Sequence, residues 1–157
     1  MTNSLSPKPV RASRVTLSQL MHPQQANLLG NVHGGWIMKL VDEAAALACM
    51  RHAQRKVVTV AIDSMVFRKP IRIGDLVILN AEVTFAGRTS MEAEVQVLAE
   101  NPITGEQTQT NTAYLVYVAL DDDGCPTAVP PLLSETEDEK RKAEEARERQ
   151  ERRLKQR

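Results

Sequence analysis

The feature that most constrains the fold is a long apolar segment over residues 36–50. Its hydrophobic residues recur at the three- and four-residue spacing of an α-helix. They leave almost no polar side for water, which predicts a helix enclosed by the rest of the chain. Asp42 interrupts the most apolar part of this segment. Because an unpaired buried carboxylate costs several kcal/mol, we expect Asp42 to have a function.

A glycine-rich loop precedes the predicted helix, and Gly34 and Gly35 fall where the helix starts. Glycine lets the backbone approach a ligand closely. The first N–H groups of a helix have no acceptor inside it and carry the positive end of its dipole. Such groups can stabilise a carbonyl oxygen that gains negative charge. Asp42 lies about two turns further along, roughly on the same face, so the pattern predicts a hydrolytic site.

The rest of the sequence predicts β-strands around this helix. Alternating or apolar segments typical of strands cover residues 14–21, 57–63, 76–85, 91–97 and 108–120. The segment 57–63 is nearly all apolar, which predicts a central strand or one buried on both faces. One strand, one helix and four strands in succession indicate an α+β fold with an antiparallel sheet around the helix.

The two ends of the chain differ in composition from the region between them. Residues 1–12 contain Pro7 and Pro9 and predict a flexible N-terminus, so the domain is expected to span residues 13–133. Residues 134–157 carry acidic residues four positions before basic ones, which favours a helix. Because this segment has almost no apolar stripe, we expect a charged, partly helical tail in solvent.

Composition indicates which classes of partner and which cellular compartment to expect. The net charge is zero and the pI about 6.8, so no overall field attracts nucleic acid or a membrane. We find no apolar run of membrane-spanning length and no signal peptide, and two cysteines make no disulfide framework. The expected compartment is the cytoplasm. Three histidines without ligand-spaced partners predict no metal site.

The loop and helix share a motif with a known family. From Asn27 the sequence reads Asn-x-x-Gly-Asn-x-His-Gly-Gly-Trp-x-Met-x-x-x-Asp-Glu-Ala. It resembles the hot-dog-fold acyl-CoA thioesterases, and the similarity continues through residues 57–60, 67–70, 73–75, 88–90 and 114–118. The resemblance implies a hot-dog fold, hydrolysis of fatty acyl-CoA to fatty acid and coenzyme A, and no required cofactor. It also implies a homo-oligomer, at least a dimer and as a further expectation a trimer of dimers (a hexamer).

The resemblance also implies roles for individual residues. Asp42 would act as general base or as nucleophile through an anhydride, and both routes remain open. Asn27 of the facing subunit would orient the carbonyl or the water. Backbone N–H groups of Gly34 and Gly35 would bind the oxyanion. From its position before the two glycines, we expect His33 to shape the loop by a hydrogen bond to the backbone.

The remaining candidates would support catalysis or bind substrate. Glu43 could pair with Lys39, and we assign it a structural or supporting role beside the catalytic residues. Charged and hydroxyl groups that suit the phosphates of coenzyme A are Arg68, Lys69, Arg88, Thr89 and Ser90. Candidates for the acyl pocket are Val58, Thr59 and Met65, although the same residues would suit a plain core. Two alternatives are a hot-dog dehydratase or hydratase that uses His33, and a non-catalytic acyl-CoA-binding protein.

Overall fold

The central element is the helix predicted from the apolar segment. In the computed structural model, which describes residues 5–157, this helix α1 spans Gly34–Ala53. Its inward residues, which include Val41, Ala44 and Ala48, have no exposed surface. The helix ends at Gln54, which adopts a left-handed conformation with φ 55° and donates its N–H to Met50.

The strands form one five-stranded sheet and one small pair. In chain order they are β1 Lys8–Pro9, β2 Val15–Leu20, β3 Lys56–Met65, β4 Leu76–Ala86, β5 Ser90–Glu100, β6 Gln107–Leu120 and β7 Leu132–Leu133, followed by the helix α2, Glu137–Lys155. The large sheet has the order β2-β4-β5-β6-β3 with antiparallel pairing throughout. One face packs on α1 through residues such as Leu79, Val95 and Leu115. The predicted α+β hot-dog fold is confirmed.

Strand β3 differs from its prediction. The apolar segment 57–63 was expected to be central or buried on both faces, but β3 lies at an edge of the sheet. Val58, Val60 and Ile62 are 46%, 47% and 41% exposed. The prediction is wrong because an apolar strand favours burial wherever it lies, whereas residues 5–157 of this chain leave these side chains of β3 partly exposed.

The C-terminal tail is helical, as predicted, but it is not an extension in solvent. Helix α2 starts with a capping box, in which the side chains of Thr136 and Glu139 each accept from the other's backbone N–H. It then packs on the sheet face opposite α1, where Ala146 is fully buried and Lys142 bonds to Glu82 and Glu94 at 3.0 and 3.1 Å. The cations on its sheet-facing side, Lys142, Arg149 and Arg153, therefore pair with strand carboxylates distant in sequence.

The N-terminal region also differs from the flexible segment predicted for residues 1–12. Lys8–Pro9 pairs in parallel with Leu132–Leu133, and Val10 is only 3% exposed. Residues 1–4 lie outside the described part of the chain. Neither α1 nor α2 is long and apolar enough to cross a membrane.

Candidate active site

Two hydroxyl groups hold the carboxylate of Asp42 on the sheet. Thr59 of β3 donates to Oδ1 of Asp42 at 2.8 Å, and Tyr117 of β6 donates to the same oxygen at 2.6 Å. Thr59 and Tyr117 face each other across the two strands. Asp42 therefore points from the helix to the sheet and is anchored there.

The neighbouring charges of α1 turn another way. Lys39 lies 3.8 Å from Glu43 and 4.7 Å from the centre of the Trp36 ring. The Lys39–Glu43 contact is the one considered from the sequence. Both side chains are about half exposed, so this pair belongs to the helix surface. Asp42 makes no salt bridge within residues 5–157, and Lys39 pairs with Glu43 instead.

Tyr117 is a site residue that the sequence analysis missed. Its side chain has no exposed surface, and its hydroxyl also lies 2.9 Å from the backbone oxygen of Asp42. Burial, together with the adjacent Asp42 carboxylate, raises the pKa of Tyr117 above its ordinary value. The hydroxyl therefore keeps its proton and remains a donor at neutral pH. Alternation in β6 would place Tyr117 on the helix side, but only the strand register brings it to Asp42.

His33 caps the start of α1. Its Nδ1 accepts the N–H of Gly35 at 2.9 Å, which is the loop-shaping backbone contact expected for this residue. A Cβ at Gly35 would lie 3.1 Å from the same nitrogen, so a side chain at this position would push the His33 ring away from the helix start. The two glycines are thus not equivalent as oxyanion donors. Gly35 donates to His33, whereas the N–H of Gly34 lies outside the helix's own hydrogen bonds.

Asn27 shapes the loop before α1. Its Oδ1 accepts the N–H groups of Leu29 and Asn31 at 2.9 and 3.1 Å. The side-chain amide nitrogen donates to no acceptor in residues 5–157, which leaves it available to a ligand. Asn27 lines a cavity of about 310 Å³ with Gly34, Arg68 and Lys69. Asp42 does not line this cavity, so one chain brings together only part of the predicted site.

The turn that contains the other coenzyme A candidates lies elsewhere. Ser90 pairs with Val118, and its neighbour Met91 pairs with Tyr117 on the α1 side. Since successive strand residues point to opposite faces, Ser90 points away from Asp42. Thr89 and Ser90 line a separate cavity of about 230 Å³ beneath the end of α2. Arg88 is exposed in the same turn.

The three acyl-pocket candidates do not form a single apolar wall in this chain. Thr59 is a hydrogen-bond donor to Asp42. Val58 is 46% exposed at the sheet edge, and Met65, at the other end of β3, packs against the core. The sequence placed Thr59 near the site, but it did not show that Thr59 donates a hydrogen bond to Asp42.

Comparison with known proteins supplies the family. Residues 29–106 match the Thioesterase superfamily. The chain is 38% identical over 129 residues to an uncharacterized acyl-CoA thioester hydrolase of Bacillus subtilis, across 82% of this chain and 75% of that protein. The protein belongs to the acyl-CoA thioester hydrolase family. It is also 38% identical to the cytosolic acyl coenzyme A thioester hydrolase of Rattus norvegicus, across 91% of this chain but only 39% of that protein.

Solved structures in this family share the whole fold. An apo-hexameric acyl-CoA thioesterase superposes with a TM-score of 0.93 at 42% identity and covers 97% of both chains. An acyl-CoA hydrolase from Staphylococcus aureus, solved with butyryl coenzyme A and coenzyme A, gives 0.88 at 36% identity across 95% of this chain and 91% of that chain. Variants of that hydrolase replace an asparagine, an aspartate and a threonine by alanine. These three residues are spaced along that chain as Asn27, Asp42 and Thr59 are along this one.

Proposed function

We propose that this protein hydrolyses fatty acyl-CoA thioesters and that Asp42 is the residue that activates water or attacks the substrate. The observation that carries the proposal is the carboxylate of Asp42, which leaves α1 toward the sheet and is held there by Thr59 and Tyr117, in a chain of the acyl-CoA hydrolase family. The Staphylococcus aureus variants support the choice of Asn27, Asp42 and Thr59, since an investigated triplet in that hydrolase has the same spacing.

In the general-base route, Asp42 removes a proton from water while the water oxygen bonds to the thioester carbonyl carbon. The carbonyl oxygen becomes negative and accepts a hydrogen bond from the N–H of Gly34. When the carbon–sulfur bond breaks, the thiolate of coenzyme A takes up the proton and a carboxylic acid remains. The reaction consumes one water and regenerates the Asp42 carboxylate.

In the alternative route, Asp42 itself bonds to the carbonyl carbon and the thiolate leaves, giving a mixed anhydride. Water then hydrolyses the anhydride, which releases the fatty acid and restores Asp42. Both routes use only protein groups and water, so we propose that no resident cofactor is required. Label from ¹⁸O-water that appears in Asp42 after a single turnover would identify the anhydride route.

We further propose that two copies of the chain build each site. Asn27 and Asp42 do not line one cavity within a chain, and β3 presents an apolar edge without a partner strand in residues 5–157. A second copy could cover this edge. A dimer is the minimum assembly, and relatives described as hexameric support a trimer of dimers.

Substrate contacts follow from this arrangement. We assign Arg68 and Lys69, which line the Asn27 cavity, to the phosphates of coenzyme A. Arg88, Thr89 and Ser90 would contribute from a different copy, because Ser90 lies on the face away from Asp42. Val58 and Met65 would contact the acyl chain. We place the reaction in the cytoplasm, as the name of the rat relative indicates for that protein.

The test is release of free thiol from acyl-CoAs of graded chain length. We expect wild type to release thiol, Asp42→Asn to lose nearly all activity, and Glu43→Gln to retain it. Glu43 is a matched control because it is an adjacent carboxylate on the helix surface. Full activity in Asp42→Asn would contradict the proposed mechanism. Conversion of an unsaturated acyl-CoA without thiol release would favour the hydratase alternative instead.

A further inference from the structure

The two oxygens of the Asp42 carboxylate have different surroundings. Oδ1 accepts two hydrogen bonds, from Thr59 and Tyr117. Oδ2 accepts none from residues 5–157. Each carboxylate oxygen has two lone pairs in the plane of the group. Both lone pairs of Oδ1 accept a hydrogen bond, and those of Oδ2 are free.

We propose that Tyr117 is a positioning residue which, with Thr59, fixes Oδ1 of Asp42 and thereby makes Oδ2 the oxygen that reacts. The inference rests on the function proposed above and adds the reacting atom and the group that selects it. In the general-base route Oδ2 takes the proton of water. In the anhydride route the same atom bonds to the carbonyl carbon.

Tyr117 is suited to this task because of where it is anchored. The terminal torsion of an aspartate is soft and roughly two-fold, so an unanchored carboxylate exchanges its two oxygens. Thr59 lies on the edge strand β3 and donates to Oδ1 alone. Tyr117 lies inside the sheet with no exposed surface, and its hydroxyl also approaches the backbone oxygen of Asp42 at 2.9 Å. Its single proton is shared between these two oxygens, with the shorter contact, 2.6 Å, to Oδ1.

The inference predicts a specific kinetic signature for Tyr117→Phe. This variant keeps the buried ring and removes only the hydroxyl. We expect kcat to fall roughly 10–100-fold, the range for one lost hydrogen bond to a charged group. KM should stay within about twofold of wild type, since Tyr117 acts through Asp42 and the loss then appears in the chemical step.

Tyr114→Phe is the matched control. Tyr114 lies on the same strand three positions earlier and pairs with Glu94 on the α2 side of the sheet, where its ring lies 3.7 Å from the guanidinium carbon of Arg149. Its hydroxyl does not contact Asp42. We expect kcat and KM of this variant to match wild type within about twofold. A loss seen only in Tyr117→Phe is then specific to that hydroxyl and is not a general effect of removing a tyrosine hydroxyl from β6.

A second pair of variants tests the same anchor without changing the core. Thr59→Val removes the other donor to Oδ1 while it keeps the branched shape, and Thr59→Ser keeps a hydroxyl. We expect Thr59→Val to lower kcat by roughly tenfold and Thr59→Ser to recover most of that loss. The edge position of Thr59 makes both variants suitable even if Tyr117→Phe proves too unstable to assay.

The outcomes separate this inference from the proposed function. Wild-type kcat in a folded Tyr117→Phe protein, or in Thr59→Val, would overturn the anchoring while an inactive Asp42→Asn still supports hydrolysis. A loss in Tyr117→Phe that appears in KM alone would overturn it as well. Full activity in Asp42→Asn would instead refute the proposed function. Folding of each variant is checked by its thermal midpoint, with activity measured well below that temperature.

Discussion

Removing the charge of Glu92 should destabilise the protein strongly, because this carboxylate joins α2 to the sheet from a fully buried position. Glu92 has no exposed surface. It accepts two hydrogen bonds from Arg149, at 3.0 and 2.8 Å, one from Arg153 at 3.3 Å and one from Thr84 at 2.8 Å. Glu92→Gln keeps the shape of the side chain and leaves the two cations facing a neutral amide.

The magnitude follows from the burial of the partners. The side chains of Arg149 and Arg153 are only 11% and 16% exposed. Loss of one partner from a buried ion pair costs about 3–5 kcal/mol because the remaining charge stays in a poorly solvated place. Asp63 lies 3.4 Å from Arg153 and offsets part of this cost. We therefore expect Glu92→Gln to lower the free energy of unfolding by about 2–3 kcal/mol.

The assay is urea unfolding at one fixed protein concentration, because assembly would make the midpoint concentration-dependent. Glu145→Gln is the matched control, since Glu145 pairs with Arg141 on the exposed side of the same helix. That pair should contribute less than about 1 kcal/mol. Equal, small losses in the two variants would refute the reasoning that burial of Glu92 gives the network its strength.

Three further predictions concern stability and thiol reactivity. Burial lowers the pKa of His52 below its ordinary 6.5, so the unfolded chain binds more protons than the folded one. The free energy of unfolding should therefore fall as the pH drops below about 6.5. Urea unfolding of wild type and His52→Gln at several pH values should show a weaker pH dependence in the variant. Ala146→Glu should lower the free energy of unfolding by at least about 2 kcal/mol, because it places a carboxylate in the fully buried contact between α2 and the sheet. Ala143→Glu is the control and should cost less, since Ala143 is only partly buried in the same helix. Burial raises the pKa of Cys49 while Cys125 is exposed, so a thiol reagent should label Cys125 alone in the native protein and both cysteines in urea; rapid native labelling that persists in Cys125→Ser would contradict this.

The sequence predicted the central helix and its carboxylate because their signal is local. The helical spacing of the apolar residues predicted α1, and Asp42 was conspicuous among them. The expected enclosure was only partly correct, because one side of α1 is exposed at Met38 and Leu47. Strands β4 and β5 were likewise recognised from a local signal, since two-residue alternation runs through segments 76–85 and 91–97. The expected hot-dog fold then agreed with the structure.

The sequence could not predict the contacts that depend on register or on distant partners. Tyr117 lies opposite Thr59 only because of the register in which β3 and β6 pair. That register shifts by one residue between Thr59 and Ala61, and the shift cannot be read from either strand alone. The cations of α2 read locally as partners of acids four residues away, yet Arg149 bonds to Glu92 in a strand. The apolar residues of β3 predicted a burial that this chain does not supply, because apolar composition alone does not distinguish an edge strand from a central one.

Subunit exchange between Asn27→Ala and Asp42→Ala tests the shared site most directly. Each variant alone should release almost no thiol from acyl-CoA. After mixing in equal amounts and verified exchange, about a quarter of the sites should combine an intact Asn27 with an intact Asp42 from different copies, and activity should return to about that fraction of wild type. If exchange is complete and no activity returns, Asn27 and Asp42 do not act across two copies and the account is wrong.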